Sequence, residues 1–220
     1  MLKSSFLFFL LLTLTLASAA QEASPHHALG ADFNGDGLTD IAVSSSNGRV
    51  FLMLGETGEP TSSPKTYLVP GRPDDLTIAD FTGDGLPDLI CNTGRTLALL
   101  SGDREKGLLQ PLVLEPEFQQ IVSLSSGDFN VDGKPDLAVA HWAPDGLTLF
   151  LGEGDGLFSE PITADLPVRP FSVVGLDLDE DGADEAAVSL VGNKKVVHAK
   201  LAEGKLDTSG RLLFEGPIGY

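Results

Sequence analysis

Four nine-residue segments concentrate oxygen-bearing side chains at alternate positions. They begin at Asp32, Asp80, Asp128 and Asp177 and hold three, three, three and six of the chain's 32 acidic residues. Positions 1, 3, 5 and 9 are Asp32, Asn34, Asp36 and Asp40 in the first, Asp80, Thr82, Asp84 and Asp88 in the second, Asp128, Asn130, Asp132 and Asp136 in the third, and Asp177, Asp179, Asp181 and Glu185 in the fourth. Position 7 (Leu38, Leu86, Lys134, Ala183) can add its backbone carbonyl, and glycine at position 6 (Gly37, Gly85, Gly133, Gly182) allows the sharp turn that brings it round. Oxygen ligation without His or Cys selects a hard cation, and flexible loops of this kind suit Ca²⁺ better than Mg²⁺. Up to four Ca²⁺ are therefore expected. An EF-hand is excluded, because position 12, where it needs a bidentate Glu, is Val43, Cys91, Val139 or Val188. Thr82 in place of Asn or Asp predicts weaker binding at the second site. In the fourth, either Asp184 or Glu185 is the closing ligand.

The segments recur every 48 or 49 residues, a period that marks a repeat architecture. In each unit an apolar stretch leads into the acidic loop, and a second apolar strand follows it at once: Ile41–Val43, Leu89–Cys91, Leu137–Ala140 and Ala186–Leu190. A tight turn comes next, with Asn47-Gly48 the strongest hairpin signal and Thr93-Gly94, Asp145-Gly146 and Gly192-Asn193 its equivalents. A third strand and a weaker fourth complete the unit. No helical period intervenes, and 25 Gly and 14 Pro punctuate the turns. The expected fold is all-β, with β-propeller-type repeats: four blades of four antiparallel strands at about 28–70, 71–116, 117–167 and 168–220, after a lead-in at 21–27. A lone blade cannot cover both faces of its sheet, so neighbours must stack.

The Asp-Phe-Asn-x-Asp-Gly-x-x-Asp loop, followed by an Ile/Leu-Ala-Val strand, resembles the FG-GAP or VCBS-type repeat of integrin-like propellers. Leu151-Gly-Glu-Gly-Asp-Gly-Leu-Phe-Ser-Glu-Pro161 resembles the second segment of the same repeat. The resemblance runs from about Ala28 to the C-terminus. It implies that the acidic loop joins the first and second strands of each blade and binds Ca²⁺. Members of that family typically have seven blades, whereas four are legible here. A closed four-bladed ring, a partial ring completed by self-association and a truncated larger propeller all remain open. The segment Gly216–Tyr220 resembles the start of a further first strand.

Lys3, the apolar run Phe6–Leu16 and the small residues Ala17–Ala20 read as a secretory signal peptide over residues 1–20, cut near Ala19-Ala20. A secreted or periplasmic location is expected, and no later segment is long and apolar enough to span a bilayer. Cys91 is the only cysteine, so no intrachain disulfide can staple the fold, which leaves bound metal to do so. The net charge of −18 is largely a ligand supply. With 14 scattered Lys and Arg, a nucleic-acid partner is not expected.

No Gly-x-Ser-x-Gly and no His-x₃-His pair is present, so no enzyme is expected. His141 and the single tryptophan, Trp142, fall after the second strand of the third blade, at the end away from the acidic loops, where a ring can stack on a sugar or anchor a peptide. Arg72, Arg169, Ser44–Ser46, Asn92 and Asn193–Lys195 accompany them as a polar surface at that end. The expected function is a non-catalytic binding or adhesion module for carbohydrate or extracellular protein. The alternatives are part of a polysaccharide-active enzyme and a self-assembling repeat.

Overall fold

The computed structural model describes residues 24–57, 63–114, 118–191, 195–209 and 214–215. The signal peptide expected at 1–20, the Gly192-Asn193 turn and the segment 216–220 lie outside the described residues.

Blade one consists of β1 (Pro25–Ala31), β2 (Asp40–Ser45), β3 (Arg49–Met53) and β4 (Lys65–Leu68). Blade two consists of β5 (Asp75–Ala79), β6 (Asp88–Asn92) and β7 (Leu97–Leu100), then a small hairpin of β8 (Gly102–Asp103) and β9 (Gly107–Leu108), and outermost β10 (Leu112–Leu114). Blade three is β11 (Gln120–Gly127), β12 (Asp136–Trp142), β13 (Gly146–Phe150) and β14 (Ile162–Asp165). Blade four is β15 (Pro170–Leu176), β16 (Glu185–Leu190) and β17 (Lys195–Ala202), with β18 (Lys205–Asp207) and β19 (Phe214–Glu215) both paired to β17. All pairings are antiparallel, and strand order follows chain order in each blade. The first strand starts at Pro25, so His26 and His27 belong to β1 rather than to a lead-in. The β8–β9 hairpin is an addition to the expected blade. It packs Leu108 against blade one, where Lys106 O accepts hydrogen bonds from Tyr67 Oη (3.1 Å) and Lys65 Nζ (2.7 Å).

Three apolar cores lie between the four blades. Blades one and two share Phe33, Val50, Leu52, Tyr67, Leu89 and Leu100; blades two and three share Phe81, Ile90, Leu99, Leu124 and Val139; blades three and four share Phe129, Ala138, Leu149, Val173 and Val188. Because a middle blade is covered on both faces, β6 and β12 read as nearly unbroken apolar runs instead of alternating. Position 2 of each of the first three acidic loops supplies a plug: Phe33, Phe81 and Phe129 are buried in successive cores. Truncating such a phenylalanine costs about 3–5 kcal/mol. Its fourth-loop equivalent, Leu178, is exposed, as is Val174 on the same blade.

The inner strands pack in the order β1, β5, β11, β15, and no packing of comparable extent joins β15 back to β1 among the described residues. The blades thus form a partial propeller. Side chains link adjacent inner strands: Leu124 N donates to Asp75 Oδ2 (2.9 Å), Ser126 N to Thr77 Oγ1 (3.1 Å), and Gly175 N to Ser125 Oγ (2.9 Å). Each of the first three loops is also tied to the next blade by one backbone bond, Asp103 N to Phe33 O, Gly156 N to Phe81 O and Asp184 N to Asp128 O.

Candidate metal loops and the cleft at the opposite end

Each acidic segment folds as a tight loop between the inner and second strands of its blade. In the first loop the Asp32 carboxylate accepts the N–H groups of Asp36 (3.0 Å) and Gly37 (2.7 Å). Asn34 Oδ1 also accepts the Asp36 N–H (3.0 Å), and Asp36 Oδ1 accepts that of Leu38 (2.8 Å). The first aspartate makes the same pair of bonds in the other three loops. Short polar side chains thus wind the backbone around themselves and leave position 7 at the inner bend.

This path requires positive φ at positions 4 and 6. Glycine supplies it at Gly35 and Gly37 (+69° and +85°), but position 4 of the third loop is Val131 at +60°. A β-branched residue held there costs about 1–2 kcal/mol, against about 0.5–1 for the extra chain entropy of glycine. Val131 is 58% exposed, so its side chain adds little packing to compensate. Val131→Gly is expected to raise stability by about 0.5–1 kcal/mol. Urea unfolding in Ca²⁺ checks this, and a loss of stability would contradict it.

Position 9 has a role beyond the one its spacing suggested. Asp40, Asp88 and Asp136 are fully buried, and each carboxylate brackets two backbone N–H groups from different parts of its blade. Asp40 holds Phe33 N (2.9 Å) and Gly55 N (2.7 Å); Asp88 holds Thr82 N (2.8 Å) and Gly102 N (2.8 Å); Asp136 holds Phe129 N (2.9 Å) and Gly152 N (2.8 Å). These acids clamp the start of the loop to the end of the third strand. Burial raises all three pKa values, that of Asp136 to about 6, despite the opposing backbone N–H groups; aspartates of the same loop push in the same direction as burial.

The fourth loop differs. Here Asp177, Asp179 and Glu185 bring ligand atoms within 4.8 Å of one another, the only such acidic group among the described residues. Glu185 is buried and accepts only Leu178 N (2.9 Å) from the backbone. Asp184 faces away, its Oδ2 accepting the Asp128 N–H (2.7 Å) of blade three, so of the two candidates Glu185 is the one in the cluster. Lys200 Nζ lies 2.6 Å from Asp181 Oδ2, 2.9 Å from Asp179 Oδ2 and 3.0 Å from Glu185 Oε1. Lys200 donates hydrogen bonds to Asp181 and Asp179 and pairs with the Glu185 charge, which raises the lysine pKa, and the lysine lowers that of Asp181.

The first three loops fit a hard cation. Their donors are all oxygens. Thr82 Oγ1, at position 3 of the second loop, is buried without a hydrogen-bond partner, as are Glu185 Oε1 and His198 Nε2 at the fourth. No salt bridge among the described residues answers the acids of these loops.

At the other end of the blades the inner strands surround a cleft of about 460 Å³, lined among others by His27, Asp74, Asp75, Gln120, Trp142 and Phe171. Phe171 is 67% exposed. Asp75 Oδ1 lies 3.3 Å from His27 Nδ1, and Arg72 Nε donates to Asp74 Oδ1 (2.6 Å). The expected surface is only partly present here. His141 and Trp142 end β12 instead of forming the turn. His141 is fully buried, its ring nitrogens 2.9 Å from Pro144 O and 3.0 Å from Thr148 Oγ1, and it stacks on Phe118 at 3.9 Å. Burial lowers its pKa, and it serves the core, not a surface. Trp142 is half-buried: Nε1 donates to Pro170 O (2.7 Å) and the Arg169 guanidinium covers its ring at 4.5 Å. Ser44 and Ser45 are buried, Asn92 lines the cleft although its surface is buried, and Asn193 and Lys194 lie outside the described residues. Phe171 and Asp74 were missed because only the folded order of inner strands brings them beside Trp142.

A family model described as FG-GAP-like repeat matches residues 32–91 and 128–188, more than half of the chain. No curated protein matches it. Similar solved structures include BBS1N in complex with ARL6DN, soaked with lead (TM-score 0.59, 12% identity, covering 82% of this chain and 51% of that one) and soaked with mercury (0.57, 13%, 82% and 51%). Another is an Agrocybe aegerita lectin described as recognising non-reducing terminal N-acetylglucosamine (0.53, 20%, 82% and 50%). The chain spans about half the length of the solved structures it matches. At these identities the likeness is one of fold.

Proposed function

Since this chain belongs to the FG-GAP-like repeat family, we propose that it is an exported, non-catalytic binding module held together by Ca²⁺, which presents a cleft to a carbohydrate or protein partner. The observation that carries the calcium part is the repeated oxygen-lined loop, whose acids no salt bridge among the described residues answers, at the same end of blades one to three. Asp32, Asn34, Asp36 and the Leu38 carbonyl, with their equivalents in the next two loops, are the residues that would hold the ion. When bound, Ca²⁺ supplies positive charge where each loop gathers negative charge. Export follows from reading residues 1–20 as a signal peptide.

The partner surface is the cleft at the opposite end. An exposed phenylalanine and the edge of Trp142, set among Asp74, Asp75 and Gln120, combine an apolar platform with hydrogen-bond acceptors. That combination suits a sugar ring or a short polar peptide. The similar lectin and the protein-bound BBS1N support the choice of these two partner classes. A glycan array and an array of extracellular proteins, each probed with the wild type and Phe171→Ala, test the assignment. Binding lost in Phe171→Ala, with an unchanged melting temperature, is expected. Equal binding by both proteins would move the partner surface elsewhere.

A further inference from the structure

We infer that the fourth loop is closed by Lys200, a cation built into the chain, in place of a bound divalent ion; this rests on the calcium reading of the first three loops. The side-chain ammonium contacts three of the loop's acids, at positions 3, 5 and 9, within 3.0 Å. It therefore stands beside the converging oxygens of Asp177, Asp179 and Glu185, where a divalent ion would otherwise sit.

Strand register shows that this is particular to blade four. Lys200 lies one residue beyond the Ala186↔Ala199 pair, beside Glu185. The equivalent positions, one beyond Ile41↔Met53, Leu89↔Leu100 and Leu137↔Phe150, are Leu54, Ser101 and Leu151, none of them charged. The residue after each also changes. In blades one to three it is Gly55, Gly102 or Gly152, whose N–H holds one oxygen of the position-9 aspartate. In blade four it is Leu201, and the corresponding oxygen, Glu185 Oε1, has no hydrogen-bond partner and lies 3.0 Å from the lysine ammonium as an ion pair. The longer Glu185 is what lets a carboxylate rooted in the same strand position reach that ammonium.

Three coupled departures, Glu for Asp, Lys for an uncharged residue and Leu for Gly, thus replace a backbone clamp and an ion with one internal salt-bridge cluster. A point charge on a flexible stem can satisfy several carboxylates where the divalent ion would sit. Blade four, whose outer flank exposes Val174 and Leu178, is then closed whatever the calcium concentration.

Calorimetric titration of full-length wild type and Lys200→Met with Ca²⁺ tests this, together with their melting temperatures in EGTA. The expected stoichiometries are three ions for wild type and four for Lys200→Met. In EGTA the variant is expected to melt several degrees below wild type, and in Ca²⁺ to recover most of the loss. Four ions on wild type, or three on both proteins with equal melting in EGTA, would overturn the inference. If wild type takes up no calcium, the calcium reading fails separately, and the EGTA melts alone decide: a lower melt for Lys200→Met supports closure by lysine, and an equal melt refutes it.

Discussion

In excess EGTA the protein is expected to melt about 10 °C below its melting temperature in millimolar Ca²⁺. Extracellular calcium sites have Kd values of roughly 10⁻⁴ to 10⁻³ M. At a ligand concentration about tenfold above Kd, each site adds about 1.4 kcal/mol, so three add about 4 kcal/mol. A domain of this size shifts by about 2–4 °C per kcal/mol. The effect is a large fraction of a typical total stability of about 5–15 kcal/mol, and no intrachain disulfide is available to replace it, since Cys91 is the only cysteine. The shift should shrink on acidification. Asp136, with its pKa raised to about 6 by burial, binds its proton more tightly folded than unfolded. Its contribution to the metal-free fold is therefore fully present below the unfolded pKa of about 4 and is lost as pH rises through about 6. Asp40 and Asp88, shifted in the same direction, behave alike. Calcium favours their ionised forms, so the EGTA penalty is greatest near pH 7.5 and least near pH 5. Scanning fluorimetry at the two pH values measures both effects, and identical melts with and without EGTA at pH 7.5 would contradict the reading.

The second large effect is expected at Asp136. Asp136→Ala leaves the N–H groups of Phe129 and Gly152 buried and unpaired. Each unpaired buried donor costs about 1–3 kcal/mol, partly offset by removing a carboxylate that burial already penalises, for a net loss of about 3 kcal/mol. The distinguishing feature is independence from calcium. Asp136→Ala should melt lower in EGTA as well as in Ca²⁺, because the bracket works without metal. Asn34→Ala, in the half-exposed arc of its loop, should lose stability chiefly in Ca²⁺. Denaturant titrations of both variants in both buffers check this, and a purely calcium-dependent loss at Asp136 would remove its bracketing role.

Much of this architecture is local, and local features are legible in a sequence. The Asp-x-Asn-x-Asp-Gly spacing specifies the loop because each side chain bonds backbone groups two to five residues away. The apolar run after each loop specifies a strand for similarly local reasons. What escaped the sequence depends on distant pairing. The partners of position 9 include glycines 14 to 16 residues downstream, visible only once the third strand has folded back. His141 looked like a turn residue because Gly146 marked the turn, yet β12 continues through Trp142 and buries the imidazole against Phe118. The partial ring depends on whether β15 meets β1, a contact between the two ends of the repeat that periodicity does not encode. Lys200 shows no signal on its own, and it becomes meaningful only through the register that sets it beside Glu185.

The most direct measurement is an anomalous-difference map from crystals grown in millimolar Ca²⁺. Peaks are expected in the first three loops, about 2.3–2.6 Å from the oxygens of Asp32, Asn34, Asp36 and the Leu38 carbonyl and from their counterparts around Asp80 and Asp128. No peak is expected in the fourth loop, where Lys200 remains on Asp179, Asp181 and Glu185. Crystals with the first three loops metal-free at that concentration would contradict the calcium reading.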